Sequence, residues 1–447
     1  MSCPASRTLG AKRAFNSHRQ PAPANQGGRL KLAVIGAGVV GVTTAYELAA
    51  QGHDVTVFDK RGSVAEEASF ANAVVISPAY AGSWASPGTA WRVIRQLGVA
   101  NSPVRFGGLN AMAQLPWMWR WWRACRPRVH ATNRRALITL AQYSRARMLE
   151  IAHALSLEFE QSEGLTVLLR SPRDLKSALS GLTVLHDMGV VHEVLNADQC
   201  RAVEPGLNPS APLHAAIHFS QEGAANCRQF THLLRGHAQG LGAQFRFETE
   251  VTELRAQTRP SIVLRTGETE SFDALVICAG AQANKLLKGI GMTLPIAPVY
   301  GYSVTAPLRH IDGLPPMGPR SALLDDRYGV SVTRLGQRIR ISGCVELGGK
   351  LDQMNQSPLR MLYRILDDWF PGAGLIREAQ QWKGARPALP DGPPVVGASG
   401  SPGVWLNLGH GDSGWSLSCG SARVLADRIA GREPEVDASR LTVARLR

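Results

Sequence analysis

The sequence predicts an α/β protein with two domains, one built on a parallel sheet and the other on a mixed or antiparallel sheet with helices. Three observations predict this fold. A glycine-rich turn follows an early apolar strand, two later apolar strands also end in glycine turns, and short runs between residues 300 and 350 alternate apolar and polar side chains. A chain of 447 residues is long enough for two domains, each with its own core.

The first turn, residues 34–41, reads VIGAGVVG and joins an apolar strand to the start of a helix. Gly36 permits the tight turn, Gly38 lets a pyrophosphate approach the backbone, and Gly41 lets the helix pack closely on the strand. This spacing predicts a Rossmann-type dinucleotide site. A glycine turn that arises by chance in another α/β unit is the alternative.

Two neighbouring features support the dinucleotide interpretation. Val39 and Val40 open the helix, whose N-terminal N–H groups and partial positive charge would face the phosphates. The next strand ends at Asp59 and Lys60, and Asp59 stands eighteen residues after the last glycine of the motif, where a ribose-binding carboxylate is expected. The motif leaves NAD and FAD equally open.

The rest of the chain contains two more strand–turn units. Residues 274–281 form a buried strand that ends in a turn at Ala279 and Gly280, which indicates a second approach to the same cofactor. Residues 404–408 form another strand, followed by a glycine turn and a helix that ends near residue 430. Helices are also predicted at about 115–155 with a break near Pro127, at 174–189 and at 226–241, and strands at 164–170, 245–248 and 262–264.

The net charge of +14 is unevenly distributed. Residues 1–30 carry five basic side chains and no carboxylate, and residues 68–149 carry eleven arginines and no carboxylate. The first segment has neither an apolar stretch nor a twin arginine, so it is predicted to be a disordered extension rather than an export signal. Basic charge also suits nucleic acids, but no recognition motif supports that function.

The seven cysteines contain no C-x-x-C pair, which argues against a disulfide framework or a zinc site and for a reducing compartment. No cluster of His, Cys and Asp has the spacing of metal ligands. We therefore expect a cytoplasmic protein without a metal.

Several later motifs give the chain a family resemblance. They are SFANA at 69–73 with ISPAY at 76–80, GYS at 301–303, WKGARPALPDG at 382–392, GHG at 409–411 and GW at 414–415. Together with the three strand–turn units, these motifs resemble the FAD-dependent D-amino-acid oxidase superfamily, and within it the bacterial D-amino-acid dehydrogenase branch. The resemblance runs from about residue 31 to the C-terminus.

The resemblance implies a glutathione-reductase-like FAD domain assembled from separate segments and a substrate domain whose mixed sheet covers the flavin. The predicted FAD-binding segments are 31–89, 216–290 and 384–447, and the substrate domain takes 90–215 and 291–383.

The resemblance also implies roles for individual residues. Arg386 would hold the substrate carboxylate, for which a planar guanidinium is well suited, although it is also able to cap carbonyl groups near Pro387. His410 would contact the flavin or the substrate, or else only the backbone of its turn. Tyr302 is either a substrate-side tyrosine or a core residue. The remaining predicted FAD contacts are Ser69, Asn72, Val251, Gly409, Gly411, Gly414 and Trp415.

The chain departs from the pattern of this branch at three places. Val74 and Val75 stand where Gly-Gln is usual, Asp412 stands where a threonine is usual, and Tyr300 replaces a basic residue. The first two places lie near the flavin in relatives, so the substrate or the electron acceptor of this chain would differ from the typical one.

The reaction that the resemblance implies is oxidative deamination of a D-amino acid. Arg386 would hold the carboxylate, hydride would pass from Cα to flavin N5, and water would convert the imino acid to a 2-oxo acid and ammonia. The electrons would pass to a quinone or another non-oxygen acceptor. The alternatives are an oxidase or dehydrogenase of a cyclic or N-substituted amino acid, of the D-proline, hydroxyproline or glycine/sarcosine type, and a flavin-binding subunit that needs a partner.

Residues 114–123 read QLPWMWRWWR and begin an arginine-rich segment, 115–135. One interpretation is peripheral contact with the inner face of a membrane, because tryptophan favours the headgroup region and arginine attracts anionic lipids. The other is a helix that buries Trp117 and Trp121 at i and i+4 and leaves the arginines solvated.

Overall fold

The computed structural model describes residues 28–81, 84–96, 102–107, 109–310, 312 and 317–446. Most of the predicted extension, residues 1–27, lies outside these ranges. The strands are β1 (Lys31–Ile35), β2 (Asp54–Phe58), β3 (Val75–Ile76), β4 (Val104–Phe106), β5 (Gln161–Leu169), β6 (Glu193–Asn196), β7 (Ala215–Ala225), β8 (Gln244–Arg246), β9 (Val251–Arg255), β10 (Ser261–Leu264), β11 (Thr269–Ser271), β12 (Ala274–Ile277), β13 (Ala297–Pro307), β14 (Ala322–Asp325), β15 (Val330–Leu335), β16 (Arg338–Leu347), β17 (Gln380–Ala388), β18 (Val395–Ala398) and β19 (Val404–Leu408). The helices are α1 (Val39–Ala50), α2 (Thr89–Gln96), α3 (Leu109–Met112), α4 (Leu115–Ala124), α5 (Pro127–Ala154), α6 (Pro172–Asp187), α7 (Ala197–Val203), α8 (Cys227–Gly240), α9 (Ala283–Leu287), α10 (Gln356–Trp369) and α11 (Gly414–Ile429).

The first sheet has the strand order β18-β19-β12-β1-β2-β8. Its strands are parallel except for β18, which pairs antiparallel with β19 at the edge. The central strands are apolar along their length because helices or loops cover both faces. Strands β19, β12 and β1 are neighbours and run parallel. Their three glycine turns therefore lie together at the carboxyl ends of these strands, as the sequence predicted.

Helices α1, α5, α8 and α11 share a core with one face of this sheet. A buried carboxylate ties three of them together: Glu47 of α1 accepts a hydrogen bond of 2.7 Å from Arg147 of α5 and lies 3.7 Å from Arg423 of α11. Pro127 stands at the first turn of α5, where no intrahelical N–H is needed, and this explains the predicted break after α4.

The second sheet contains ten strands in the order β17-β13-β16-β15-β14-β5-β7-β3, with β4 beside β16 and β6 beside β7. Its pairs are mostly antiparallel, and the β14–β5 and β16–β4 pairs are parallel. Helix α10 packs on this sheet and buries Leu362, Ile365 and Trp369. This confirms the predicted mixed sheet. A separate antiparallel sheet has the order β11-β10-β9.

The predicted division into an FAD domain and a substrate domain stays a prediction. Strands β7 and β17 both belong to the ten-stranded sheet, where β7 lies beside β5 and β17 lies beside β13. The predicted division instead assigns their residues 216–225 and 384–388 to the FAD-binding segments. Within the described part of the chain, no helix combines the length and apolar character that crossing a membrane requires.

Candidate active site

A cavity of about 860 Å³ is lined by residues from both large sheets. The predicted site residues come from eight separate stretches of sequence, and all of them except Gly41 line this cavity. They are Gly36, Gly38, Val39, Val40, Asp59, Lys60, Ser69, Asn72, Val251, Ala279, Gly280, Tyr302, Arg386, Gly409, His410, Gly411, Gly414 and Trp415.

At one end of the cavity the first glycine turn leaves no room for a side chain at Gly36 or Gly41. Gly36 has φ +110°, and a Cβ there would lie 2.6 Å from the carbonyl oxygen of Cys278. A Cβ on Gly41 would lie 1.8 Å from the carbonyl oxygen of Gly36. Gly41 therefore packs α1 against the turn and does not reach the cavity itself. At Gly38 a Cβ would come no closer than 3.5 Å to Ser69 Oγ, and it would project toward the cavity.

Asp59 holds the same turn from the next strand. Its Oδ2 accepts a hydrogen bond of 2.6 Å from the Ala37 N–H, and its Oδ1 accepts one of 2.8 Å from the Arg61 N–H. Burial raises the pKa of Asp59, and these two backbone hydrogen bonds oppose that change. Lys60 forms an ion pair of 2.8 Å with Glu67, which also pairs with Arg61 over 3.1 Å.

Helix α1 begins at this turn with an open N-terminus. Gly38 precedes the helix without a side-chain cap, and the first turn contains no acidic residue. The Val39 N–H donates to Ser69 Oγ over 3.2 Å. The first N–H groups of a helix have no acceptor within the helix, so this end of α1 offers donors and the positive end of its dipole to the cavity, which is the arrangement that a pyrophosphate requires.

At the other end of the cavity Arg386 projects from β17. Its Nη1 donates a hydrogen bond of 3.2 Å to the Cys344 carbonyl, and Gly301 on β13 makes room for it. A Cβ on Gly301 would lie 2.4 Å from Arg386 Nη2. Desolvation lowers the pKa of Arg386, and the charge of Asp412 partly offsets this effect. Among the described residues no carboxylate lies within 4.0 Å of the guanidinium, so most of its N–H donors remain available to a ligand.

The turn before α11 lies against the strand that carries Arg386. The Gly411 N–H donates a hydrogen bond of 3.0 Å to the Pro387 carbonyl, and His410 forms a β-bridge with Ala388. Gly409 and Gly411 have φ values of +80° and +57°, a region that favours glycine. The turn thereby brings the N-terminus of α11 to the cavity.

The His410 ring is buried and hydrogen-bonded to Ser421 Oγ over 3.0 Å. Burial lowers the pKa of His410 to about 3, so the imidazole is neutral near pH 7. Its role toward a substrate stays a prediction. Trp415 is fixed in a similar way, because its indole N–H donates a hydrogen bond of 3.0 Å to the Ala225 carbonyl.

Tyr302 is fully buried, and its hydroxyl donates a hydrogen bond to Glu346. The same carboxylate forms an ion pair of 2.7 Å with Lys383. Lys383 also lies 4.7 Å from the ring centre of Tyr300, so this chain places an ammonium beside position 300 from the neighbouring strand. Tyr302 thus belongs to a closed polar cluster at the cavity wall, and its predicted contact with substrate stays a prediction.

Comparison with known proteins agrees with this geometry. Residues 31–428 match the model of the DAO family, described as FAD dependent oxidoreductase. The chain belongs to this family. It is 37% identical to a D-amino acid dehydrogenase of Bradyrhizobium diazoefficiens over 93% of this chain and 99% of that protein. It is 38% identical to a D-amino acid dehydrogenase of Cereibacter sphaeroides over 93% of this chain and 95% of that protein.

Solved structures share the fold at low identity. A glycine oxidase from Geobacillus kaustophilus superposes with a TM-score of 0.72 at 21% identity, covering 93% of this chain and 98% of the other. An L-proline dehydrogenase from P. horikoshii superposes with a TM-score of 0.71 at 18% identity, covering 93% and 96%. These structures support the architecture of an FAD-dependent oxidoreductase.

FAD is the cofactor of this oxidoreductase, and the cavity fits it. Gly36 keeps the first turn tight against Cys278, where a Cβ would collide, and Asp59 and the open end of α1 offer acceptors and donors for a ribose and a pyrophosphate. The turn at Gly280, with φ +53°, approaches the same end from β12, and a Cβ there would meet open space. The assignment of individual contacts to FAD stays a prediction.

One departure from the family pattern has a structural consequence. Val74 is buried and has φ +55°, a conformation that glycine adopts freely and a β-branched residue adopts with strain. The strain is of the order of 1–3 kcal/mol. The adjacent strand β3 pairs with β7 and maintains this backbone.

Sequence reasoning missed three polar side chains: Trp84 lines the cavity, and Glu222 and Lys383 lie outside its lining in clusters with the lining residues Ser77 and Tyr302. The Trp84 indole N–H donates a hydrogen bond of 2.7 Å to Asp412 Oδ2. Glu222 of β7 accepts hydrogen bonds from the Ser77 hydroxyl and, over 2.9 Å, from the Ala79 N–H. Lys383 is the third. No local pattern marks them, because their partners lie far away in the sequence. Among the described residues no group of His, Cys, Asp and Glu is arranged to hold a metal ion.

Proposed function

We propose that this FAD-dependent oxidoreductase oxidises a D-amino acid at Cα to an imino acid, which water hydrolyses to a 2-oxo acid and ammonia. The observation that carries the proposal is the Arg386 guanidinium, which lines the cavity without a carboxylate in ion-pair contact among the described residues. Relatives named D-amino acid dehydrogenase, at 37% and 38% identity over nearly their whole length, support the substrate class.

Arg386 binds the substrate carboxylate through two parallel hydrogen bonds, each worth about 1.5–3 kcal/mol when a charge assists it. Gly301 keeps the guanidinium in position, since any larger residue would displace it. The substrate is thereby held by the end of the molecule that does not react, which fixes its Cα in the cavity.

Bound FAD supplies the two-electron oxidising chemistry, while the residues of this chain bind, orient and exclude water. The uncapped N-terminus of α11, presented by the 409–414 turn, places a partial positive charge at the cavity, where it favours negative charge that develops during the reaction. His410 remains neutral and anchors this turn through Ser421.

The electron acceptor in this proposal is a quinone or another non-oxygen acceptor. We propose that α4 meets the inner face of the membrane and that the protein is otherwise cytoplasmic. Trp119 and Trp122 are 58% and 49% exposed and stack with their ring centres 5.1 Å apart. Arg123 lies beside them in sequence, and the first turn of α4 contains no acidic residue.

The opposite side of α4 faces inward. Trp117 is buried, and its indole N–H donates a hydrogen bond of 2.9 Å to the Ala388 carbonyl, two residues from Arg386. Trp121 is partly buried beside it and also lines the cavity. The inner face of α4 therefore supports the site, as the second sequence interpretation expects, and its exposed outer face supports the proposed membrane contact.

The test is anaerobic reduction of the bound flavin by a panel of D- and L-amino acids that includes the prolines, glycine and sarcosine. Bleaching by common D-amino acids and not by their L-forms is expected. Bleaching by only L-, cyclic or N-substituted amino acids would replace the proposed substrate class, and bleaching by none would favour a flavin-binding subunit. Dye reduction without peroxide release in air is expected for a dehydrogenase.

A further inference from the structure

Asp412 presents a carboxylate to the same cavity as Arg386. Its Oδ2 accepts the hydrogen bond of 2.7 Å from the Trp84 indole, and its Oδ1 accepts one of 3.3 Å from the Ser413 hydroxyl. An ionised carboxylate accepts about four hydrogen bonds, so acceptor positions remain for a ligand. The long contact from Ser413 leaves Oδ1 the less occupied oxygen.

Burial raises the pKa of Asp412, while the charge of Arg386 and the hydrogen bond from Trp84 oppose that rise and favour the carboxylate. Asp412 and Arg386 do not form an ion pair within 4.0 Å. Asp412 therefore shares the cavity with Arg386 and leaves the guanidinium open to a substrate carboxylate. A substrate carboxylate on Arg386 brings a second negative charge close to Asp412. Unless a positive charge in the cavity or on the substrate offsets it, this repulsion weakens substrate binding.

The N-terminus of α11 contributes a partial positive charge to the cavity, whereas the other charged side chains give little compensation. Arg327 lies 2.8 Å from Asp174 and so has a carboxylate partner. Lys60 and Arg61 share the carboxylate of Glu67, at 2.8 and 3.1 Å, beside the dinucleotide end of the cavity. Lys285 lies on α9, which follows the glycine turn of β12 at the dinucleotide end. Asp326 adds another carboxylate to the wall.

The charge sum then depends on the substrate side chain. In the reactive form the α-amine is neutral, so Arg386, Asp412 and the substrate carboxylate together carry −1 for a neutral side chain. The sum is 0 for a cationic side chain and −2 for an acidic one. We infer that Asp412 is a specificity-determining residue that makes the cavity select amino acids with a positively charged side chain. This inference rests on the proposed binding of an amino acid at Arg386.

Kinetics with matched substrates test the inference. D-lysine and D-norleucine have side chains of similar length, and one carries an ammonium. At pH 8 the wild-type kcat/KM for D-lysine is expected to exceed that for D-norleucine by about 10- to 100-fold, the range that one charge-assisted hydrogen bond gives. In Asp412→Asn, which keeps the shape of the side chain, and in Asp412→Thr, the ratio is expected to fall to about 1. An unchanged ratio in both variants would overturn the assignment.

Ligand binding separates this inference from the reaction. Pentanoate and 5-aminopentanoate have no α-amine, so they report recognition through the change they cause in the flavin spectrum. The wild type is expected to prefer 5-aminopentanoate, and Asp412→Asn is expected to bind pentanoate more tightly and 5-aminopentanoate more weakly. A variant that binds both ligands more tightly would show that Asp412 is only a counterion of Arg386, and this would overturn the inference.

Asp326→Asn is the matched control, because it removes another carboxylate from the same cavity. It is expected to leave unchanged both the ratio of kcat/KM for D-lysine over D-norleucine and the preference for 5-aminopentanoate over pentanoate. If Asp326→Asn removed the preference for the cationic side chain while Asp412→Asn did not, the assignment to Asp412 would be wrong. If no amino acid reduces the flavin, the proposed reaction fails, whereas a preference for 5-aminopentanoate that depends on Asp412 would still support the recognition.

Discussion

Lys383 lies 2.7 Å from the carboxylate of Glu346 in a part of the ten-stranded sheet where their side chains are only 1% and 9% exposed. Lys383 also donates hydrogen bonds of 2.7 and 2.8 Å to the carbonyls of Lys350 and Gln353, so all three of its N–H donors have partners. Glu346 in turn accepts from the Tyr302 hydroxyl. Tyr302, which lines the cavity, is therefore held by one complete buried ionic cluster.

We expect Lys383→Met to lower the free energy of unfolding by about 3–5 kcal/mol, because it leaves a buried carboxylate without its cation. Chemical denaturation of the FAD-loaded protein measures the change. Lys350→Met, an exposed neighbour whose carbonyl is unaffected, is the control and is expected to change stability by no more than about 0.5 kcal/mol. Lys383→Met combined with Glu346→Gln is expected to recover part of the loss. Equal effects of the two single variants would contradict the importance of the pair.

Gly301→Ala tests the position of Arg386 without removing its charge. The new Cβ would lie 2.4 Å from Nη2 and 2.5 Å from Cζ, so the guanidinium must move. We expect KM for a D-amino acid to rise by about a hundredfold, since small misplacements of a binding group have effects of that size, while FAD remains bound. Steady-state kinetics and the flavin spectrum measure both quantities.

Arg386→Ala is the reference for this variant. It is expected to raise KM by at least as much, and pentanoate is expected to bind weakly to both proteins. If KM stayed at the wild-type value in Arg386→Ala, the guanidinium would not be the carboxylate-binding group.

Glu222 predicts a pH dependence of stability. Burial raises the pKa of Glu222 from 4.5 to about 7. The folded protein therefore holds the proton more tightly than the unfolded chain, so this contribution to stability is fully present below pH 4.5 and is lost as the pH rises through about 7. We expect the loss to be about 3 kcal/mol.

Urea unfolding from pH 4.5 to 8 in the wild type and in Glu222→Gln measures this contribution as a difference. The variant keeps a side chain that is able to pair with Ser77 and Ala79, and its stability is expected to fall less over that interval. Glu163→Gln, an exposed carboxylate on β5, is the control and is expected to follow the wild-type profile. Parallel profiles for wild type and Glu222→Gln would refute the assignment.

Gly41→Ala is expected to abolish FAD binding, because its Cβ would lie 1.8 Å from the Gly36 carbonyl oxygen and α1 would have to move away from the turn. Gly236→Ala in α8 is the control, since no atom lies within 4 Å of its added Cβ, and alanine is the better helix former. The ratio of flavin to protein absorbance after purification measures binding. Full flavin content in Gly41→Ala would contradict the close packing.

The sequence was sufficient where a local pattern determines the structure. Apolar runs followed by glycine predicted β1, β12 and β19, and the rule that parallel strands end at one edge brought their turns together. The sequence was insufficient for side chains that pair across long separations. Trp84 and Asp412 are 328 residues apart, and Ser77 and Glu222 are 145 apart, so no periodicity links them. Only the packed sheets and turns bring such groups together.

The outer face of α4 gives the last prediction. We expect the protein to sediment with vesicles that contain anionic phospholipid and not with vesicles of neutral phosphatidylcholine, because exposed tryptophans and arginines favour an anionic interface. Trp119→Ser with Trp122→Ser is expected to lower the binding at least tenfold, and Arg123→Gln is expected to make the remaining binding less sensitive to salt. Arg120 is a less suitable residue to replace, because its guanidinium donates a hydrogen bond of 3.0 Å to the Leu446 carbonyl.

Leu241→Ser, which removes a 49% exposed apolar side chain after α8, is the control and is expected to leave vesicle binding unchanged. Equal binding to both kinds of vesicle, or a loss in Leu241→Ser as large as in the tryptophan variant, would assign the exposed tryptophans a role other than membrane contact.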